Sequence, residues 1–170
     1  IAADRIEPVL LNAIYSARRD LTLTTPYLVP GDALLTALTS AARRGVAVTL
    51  IIPRRVDSTL VKYASAGYND SLLAAGVRIL LFEGGLLHTK SVLVDDELAI
   101  FGTVNLDLRS FELNFEVSTV VYGGAFAVQL GALQRRYAAD SLPLNLAAWR
   151  ARPRWRRLAE NAAAVMSPLL

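Results

Sequence analysis

The sequence contains no cysteine and only one histidine, His88. The absence of cysteine excludes disulfide bonds and thiolate metal sites, and it permits a cytosol-facing compartment without proving one. With one histidine and carboxylates scattered along the chain, no set of side chains is typical of a transition-metal site. We therefore expect neither a bound metal nor another cofactor.

Long hydrophobic runs and a high charge content are also absent. No apolar run reaches the roughly 18 residues that a membrane-spanning helix requires. The first residues lack the basic start and uninterrupted apolar stretch of a signal peptide, and we expect the chain to be a piece of something longer. Charged residues make up 19% of the 170 residues and hydrophobic residues 54%, which is typical of a globular chain that buries a core.

The net charge of +3 is concentrated at the C-terminal end. From residue 131 onward there are seven arginines but only two acidic residues, Asp140 and Glu160. Trp149 and Trp155 lie among these arginines, a mixture that suits the interface of an anionic membrane. A basic helix that packs back on the domain is the alternative interpretation.

Helical and strand patterns alternate along the chain. Apolar spacing predicts helices over 5–19, 32–44, 58–75 and 124–140, and strands over 21–25, 46–53, 77–82, 90–96, 97–102 and 115–122. Asp32 is expected to cap the second helix, and Asp57 or Ser58 the third. This order favours the α/β class, with a mixed central β-sheet flanked by helices. We predict a main domain over 1–142 and a short, basic helical tail over 143–170.

Several polar residues follow the only histidine at short intervals. His88 and Lys90 lie two apart in a predicted strand, so their side chains project from the same face. Asp95 lies in the turn after that strand, and the next strand returns Thr103 and Asn105 toward His88. Such a pocket offers Lys, Asn and hydroxyl donors for a phosphate, and an imidazole as nucleophile or proton donor. Taken singly, each residue is more often structural.

The segment HTKSVLVDDELAIFGTVN resembles the H-x-K-x4-D-x6-G-[ST]-x-N signature of the phospholipase D superfamily, with every fixed position filled. The continuation NLDLRSFELNFE and the segments TPYLVP and DSTLVKYAS extend the resemblance over nearly the whole chain. The similarity is to the C-terminal half of bacterial cardiolipin synthases of the phospholipase D type. It implies that residues 1–142 form a phospholipase D-like catalytic domain with one motif copy, in which Asp95 is mainly a supporting carboxylate of the catalytic set.

The resemblance also implies roles for the other motif residues. In such enzymes two motif copies meet at one active site; one histidine attacks phosphorus and forms a phosphohistidine, and the other protonates the leaving alcohol. His88 would be one of that pair, with Lys90 and Asn105 holding phosphate oxygens and Thr103 as an auxiliary contact. Glu116 resembles the acidic residue that orients the motif histidine, and an exposed strand residue is the alternative.

The implied reaction joins two phosphatidylglycerol molecules into cardiolipin and releases glycerol. The implied partners are anionic phospholipid (phosphatidylglycerol and cardiolipin), a membrane surface, and either an N-terminal half with the other motif or a second copy of this chain. No nucleic acid is expected, because the residues beside His88 are apolar. The implied location is the inner membrane, peripheral and facing the cytoplasm, with the anchoring segment missing from this chain.

Two alternatives stay open at the level of sequence. The first is a phospholipase D or nuclease-type phosphodiesterase that acts as a homodimer, because one motif copy per chain requires two chains for a complete site. The second is an inactive half-site fragment that binds membrane.

Overall fold

The structure, a computed structural model, describes residues 6–56, 58–107, 110–111 and 115–153. The helices are α1 (Ile6–Ser16), α2 (Asp32–Arg43), α3 (Thr59–Ala74), α4 (Gly124–Ala139) and α5 (Leu146–Arg150). The strands are β1 (Asp20–Thr24), β2 (Leu28–Val29), β3 (Ala47–Pro53), β4 (Arg78–Phe82), β5 (Ser91–Val94), β6 (Leu98–Gly102), β7 (Leu106–Asp107), β8 (Ser118–Tyr122) and β9 (Ser141–Pro143).

Seven of these strands form one mixed sheet in the order β8-β6-β5-β1-β3-β4-β9. β1, β3 and β4 are parallel, whereas β5, β6, β8 and β9 pair antiparallel with their neighbours. β2 and β7 form a separate parallel pair. The predicted α/β class with a mixed central sheet is therefore confirmed.

Helices cover both faces of the sheet. The larger core joins α1, α2 and α3 to one face and contains the fully buried Leu38, Leu50 and Ile79. A smaller cluster joins α4 to the other face through Leu93 and Leu130. Alternate residues of a strand point to opposite faces, and burial on both faces explains the nearly continuous apolar runs in the sequence.

The helix ends agree only partly with the predicted caps. Ser58 caps α3 by accepting a hydrogen bond from the Val61 amide at 3.3 Å, while Asp57 lies outside the described residues. The prediction that Asp32 caps α2 is wrong, because Gly31 occupies the cap position without a side-chain hydrogen bond. Asp32 is instead the first helical residue, where its charge complements the positive end of the helix dipole.

The chain after α4 packs against the domain before it leaves the described region. β9, which the sequence patterns did not predict, pairs with β4 and forms the edge of the sheet, and the predicted boundary after residue 142 falls within β9. Arg150 in α5 holds Asp70 in α3 through two hydrogen bonds of 2.8 and 3.0 Å. Trp155 and the rest of the predicted tail from 154 onward lie outside the described residues. None of the described helices combines the length and apolar character needed to cross a bilayer.

Candidate active site

Apart from Asp95, the motif residues lie at the end of the sheet where the parallel strands finish. Thr24, the last residue of β1, pairs with Ser91, the first residue of β5. The prediction that His88 and Lys90 lie in a strand is wrong, because β5 begins only at Ser91. β1 ends at Thr24, so residues 88–90 have no strand partner on that side.

Lys90 occupies the centre of the site. Its ammonium donates a hydrogen bond to the His88 carbonyl oxygen at 3.0 Å, and its own carbonyl accepts one from the Gly102 amide at 3.2 Å. Burial lowers the pKa of Lys90 from its usual range, while the carboxylates of Glu116 and Asp107 oppose that shift. The two carboxylates favour the charged form of Lys90, which leaves a half-buried ammonium among the motif residues.

Gly102 brings Glu116 into this site. A Cβ atom at Gly102 would lie 2.1 Å from the Val117 carbonyl oxygen, so only glycine permits this approach of β6 to the residues before β8. Thr103 then binds Val117 through two hydrogen bonds of 2.9 Å, one from its amide and one to its hydroxyl. The Thr103 hydroxyl, predicted to contact phosphate, is thus held by the backbone next to Glu116.

Asn105 contributes a buried amide between β6 and β7. Its Oδ1 atom is buried and has no hydrogen-bond partner among the described residues. The next residue, Leu106, donates its amide to Thr25 at 3.4 Å and pairs with Leu28, so the turn after β1 positions Asn105. An amide oxygen only accepts hydrogen bonds, so this atom requires a donor such as a hydroxyl or a water molecule, whereas the amide nitrogen is the group that can donate to a phosphate oxygen.

His88 is exposed at the mouth of an open cleft of about 440 Å³, which we call the motif cleft. The cleft is lined by residues 88–91, by Phe101 and Gly102 of β6, and by α4, including Leu133 and Arg136. Among the described residues, no hydrogen bond joins the His88 imidazole to Glu116, so the orienting role of Glu116 stays a prediction. The Thr89 and Tyr137 hydroxyls, 3.1 Å apart, instead tie the segment beside His88 to α4.

Asp95 lies at the opposite end of β5, in the turn before β6. The four residues of β5 separate it from Lys90, and the five steps along an extended chain correspond to about 16 Å. Its carboxylate accepts hydrogen bonds from the amides of Arg18, Arg19 and Asp20 at 2.8–3.0 Å. Burial acts to raise the pKa of Asp95, but these amides outweigh burial and lower it. Asp95 therefore stabilises the connection between α1 and β1, and it does not lie with the other motif residues.

Sequence reasoning missed a buried side-chain amide in α4 that contacts β1 and β5. Gln134 in α4 is only 2% exposed, and its amide donates hydrogen bonds to the Ser91 hydroxyl at 3.2 Å and the Thr22 carbonyl at 3.3 Å. Its position at helical spacing from the buried Ala127 and Leu130 was the available signal. Arg136 and Tyr137, from the same helix, were also missed. Among the described residues, no group of acidic or histidine side chains is arranged to hold a metal ion.

The sequence model of the family described as "Cardiolipin synthase, PLD-like domain" matches residues 10–136. This chain belongs to that family. The Cardiolipin synthase A of Serratia proteamaculans is 52% identical over 167 residues, covering 98% of this chain and 34% of the relative. The Cardiolipin synthase A of Escherichia coli is 53% identical with the same coverage. The chain thus spans about a third of the length of these curated relatives.

Two solved structures share the fold of this cardiolipin synthase family member. Nuc from Salmonella typhimurium, a phospholipase D family member, superposes with a TM-score of 0.72 at 20% identity, covering 82% of this chain and 90% of Nuc. Phosphatidylserine synthase from Haemophilus influenzae superposes with a TM-score of 0.75 at 15% identity, covering 97% of this chain and 44% of that structure. At these identities the likeness establishes the phospholipase D-like fold.

Proposed function

We propose that this chain is the C-terminal catalytic half of a cardiolipin synthase, which transfers a phosphatidyl group between two phosphatidylglycerol molecules and releases glycerol. The observation that carries the proposal is the family match over 75% of the chain, calculated from residues 10–136 of 170, together with Lys90, Asn105 and His88 at one end of the sheet. This chain spans about a third of the length of its curated relatives, so the activity of the whole protein is itself part of the proposal.

The proposed chemistry uses a histidine as a covalent carrier. In the first step an imidazole nitrogen forms a bond to phosphorus as the bond from phosphorus to the glycerol oxygen breaks, and a second imidazole protonates that oxygen. In the second step the hydroxyl of another phosphatidylglycerol gives its proton to that second imidazole and displaces the first. His88 is one of these two imidazoles, in either role.

The remaining residues act on charge and position. Lys90 and the Asn105 amide donate to the phosphate oxygens, where negative charge develops in the transition state. Burial lowers the pKa of Lys90, and the Glu116 carboxylate raises it. Glu116 therefore favours the charged form of the Lys90 ammonium. Thr103 supports Glu116 through Val117 and offers its hydroxyl as an auxiliary contact.

The second imidazole must come from another polypeptide segment, because the chain contains a single histidine. We propose an N-terminal half that carries the other motif; a second copy of this chain is the alternative, as in a homodimeric phosphodiesterase. We also propose a peripheral position on the inner membrane, facing the cytoplasm. The cationic Arg152 stacked on Trp149 supports contact with anionic lipid.

The test is a turnover assay on phosphatidylglycerol vesicles without added metal. It compares the 170-residue chain, the longer parent protein, and both with His88→Ala, with Arg78→Gln as a matched control on an exposed residue of β4. We expect cardiolipin from the parent and its Arg78→Gln variant but not from His88→Ala. Cardiolipin from the short chain alone would identify a self-sufficient dimer. A parent that forms no cardiolipin, or a His88→Ala parent that forms it normally, would overturn the proposal.

A further inference from the structure

A second cavity, which we call the α3–α5 pocket, lies apart from the motif residues. It has a volume of about 350 Å³, within the range of small-ligand sites. It is bounded by the carboxyl ends of β3 and β4, by α3 and by α5, and none of the predicted site residues lines it. The α5 wall is held in place by the paired hydrogen bonds between Arg150 and Asp70.

The walls of the α3–α5 pocket are mainly apolar. Ile52, Pro53, Leu81 and Leu144 line its base, and Trp149 lines the side formed by α5. An apolar cavity of this size that stays open at the protein surface suits a hydrocarbon chain, because burying apolar area on both partners is favourable.

Cations surround these apolar walls. Lys62, Arg54 and Arg152 line the pocket, and no carboxylate does so within the described part of the chain. Arg54 is paired with Glu83 outside the pocket, and Arg152 stacks on Trp149 with its guanidinium carbon 3.0 Å from the ring centroid. Lys62, on the exposed side of α3, forms no ion pair with any described residue. The rim therefore favours an anion.

A buried acceptor completes the pocket. Asn69 lines it, is only 5% exposed, and its Oδ1 atom has no hydrogen-bond partner among the described residues. Burying an unbonded amide oxygen is costly, and a hydroxyl donor from a ligand would remove that cost. The Asn69 acceptor and the cations in the lining are polar groups that a purely apolar groove would lack, so they select for a ligand with a polar, anionic head.

We propose that the α3–α5 pocket binds an anionic phospholipid with a hydroxyl-bearing headgroup. The phosphate lies at Lys62, a headgroup hydroxyl donates to Asn69, and apolar chain packs against Ile52, Leu81 and Trp149. Naming this lipid phosphatidylglycerol rests on the proposed function, whereas binding of an anionic amphiphile rests on the pocket itself. The α3–α5 pocket lies on the face of the sheet covered by α3, whereas the motif cleft is lined by α4 on the other face, so this is a second lipid site.

The test measures binding by the fluorescence of Trp149 in the 170-residue chain with Trp155→Phe, which leaves Trp149 as the single tryptophan. The probes are dihexanoyl phosphatidylglycerol at monomeric concentrations, dihexanoyl phosphatidylcholine, and glycerol 3-phosphate. We expect saturable binding of the phosphatidylglycerol. Lys62→Met should weaken it about tenfold by removing one charge-assisted contact, whereas Arg78→Gln should leave it unchanged. Asn69→Leu should reduce the preference for phosphatidylglycerol over phosphatidylcholine.

Each alternative result contradicts a different part of the proposal. Equal binding of both lipids, insensitive to Lys62→Met, would show an unspecific apolar surface and overturn it. Glycerol 3-phosphate binding as tightly as the lipid would overturn the role of the apolar walls. Saturable, Lys62-dependent lipid binding by a protein without turnover would support this site while the proposed function fails, so the two failures are distinguishable. Far-ultraviolet circular dichroism of each variant controls for folding.

Discussion

Replacing Gly102 by alanine tests the contact that assembles the site. The new Cβ atom would lie 2.1 Å from the Val117 carbonyl oxygen and 2.8 Å from the Ser118 Cα atom, both backbone atoms that no rotamer change can move. Reaching an ordinary 3.4 Å contact requires a displacement of about 1.3 Å. Overpacking of this kind costs about 1–3 kcal/mol, and weakening the two Thr103–Val117 hydrogen bonds adds about 1 kcal/mol each. We expect a loss of about 3–5 kcal/mol in the free energy of unfolding.

Urea unfolding of Gly102→Ala and Gly131→Ala measures this effect with a matched control. At Gly131 in α4 the nearest neighbours are the side-chain ends of Arg135 and Leu93, at 3.1 and 3.2 Å, which can move. Alanine also gains about 1 kcal/mol in helix propensity there, so the control should remain within about 1 kcal/mol of the parent. Gly102→Ala should also lose turnover in the longer protein, because Glu116 moves away from Lys90. A Gly102→Ala variant as stable as the control would refute the reasoning.

Three further predictions concern individual side chains. Asp95→Asn should lower the free energy of unfolding at pH 7 by about 1–2 kcal/mol, because a half-exposed carboxylate with three amide donors is replaced. The pKa of Asp95 is lowered, so this contribution is present above the usual carboxyl range and is lost as the pH falls through the lowered value. The difference in the free energy of unfolding between Asp95→Asn and the parent should therefore narrow as the pH falls below that range, and a difference that stays constant would contradict this. Lys90→Gln should lower kcat about 10²–10³-fold without loss of stability, because it removes the half-buried ammonium that we propose stabilises the developing charge, and unchanged kinetics would exclude that role. Tyr137→Phe should cost about 1 kcal/mol and increase hydrogen exchange around Thr89, since it removes the hydroxyl contact but keeps the ring contact with Phe82; unchanged exchange would show that this contact does not hold the segment.

The structure agrees with the sequence patterns where the signals are local. The helices at 32–43 and 59–74 agree with the predicted ranges 32–44 and 58–75, and they end beside Gly45 and Gly76, whose positive φ angles of 94° and 97° favour a helix end. The acidic turn at Asp95 and Asp96 also has positive φ angles, 53° and 60°, as a tight hairpin turn requires. These features depend on neighbouring residues and are therefore visible in a single sequence.

The errors occurred where a partner far along the chain decides the structure. β5 begins at Ser91 because β1 ends at its partner Thr24, and no pattern around His88 contains that information. β9 was missed because three residues carry no periodicity, and only the exposed edge of β4 recruits them into the sheet. The motif spacing includes Asp95, which the sequence placed in the turn after the strand as a mainly supporting carboxylate; only the structure shows that it binds the amides of residues 18–20.

The sequence by itself determined the α/β class, the phospholipase D-like motif from His88 to Asn105, and the family to which the chain belongs, because each depends on periodicity or on fixed spacing. Only the tertiary structure decided that the carboxylates of Glu116 and Asp107 act on Lys90, and that Asp95 binds the backbone before β1 at the other end of β5. Pairing of β6 with β5 and β8 places the first group together, and the length of β5 sets Asp95 apart. Distances of this kind arise from strand pairing across the sheet, which no local pattern in the chain encodes.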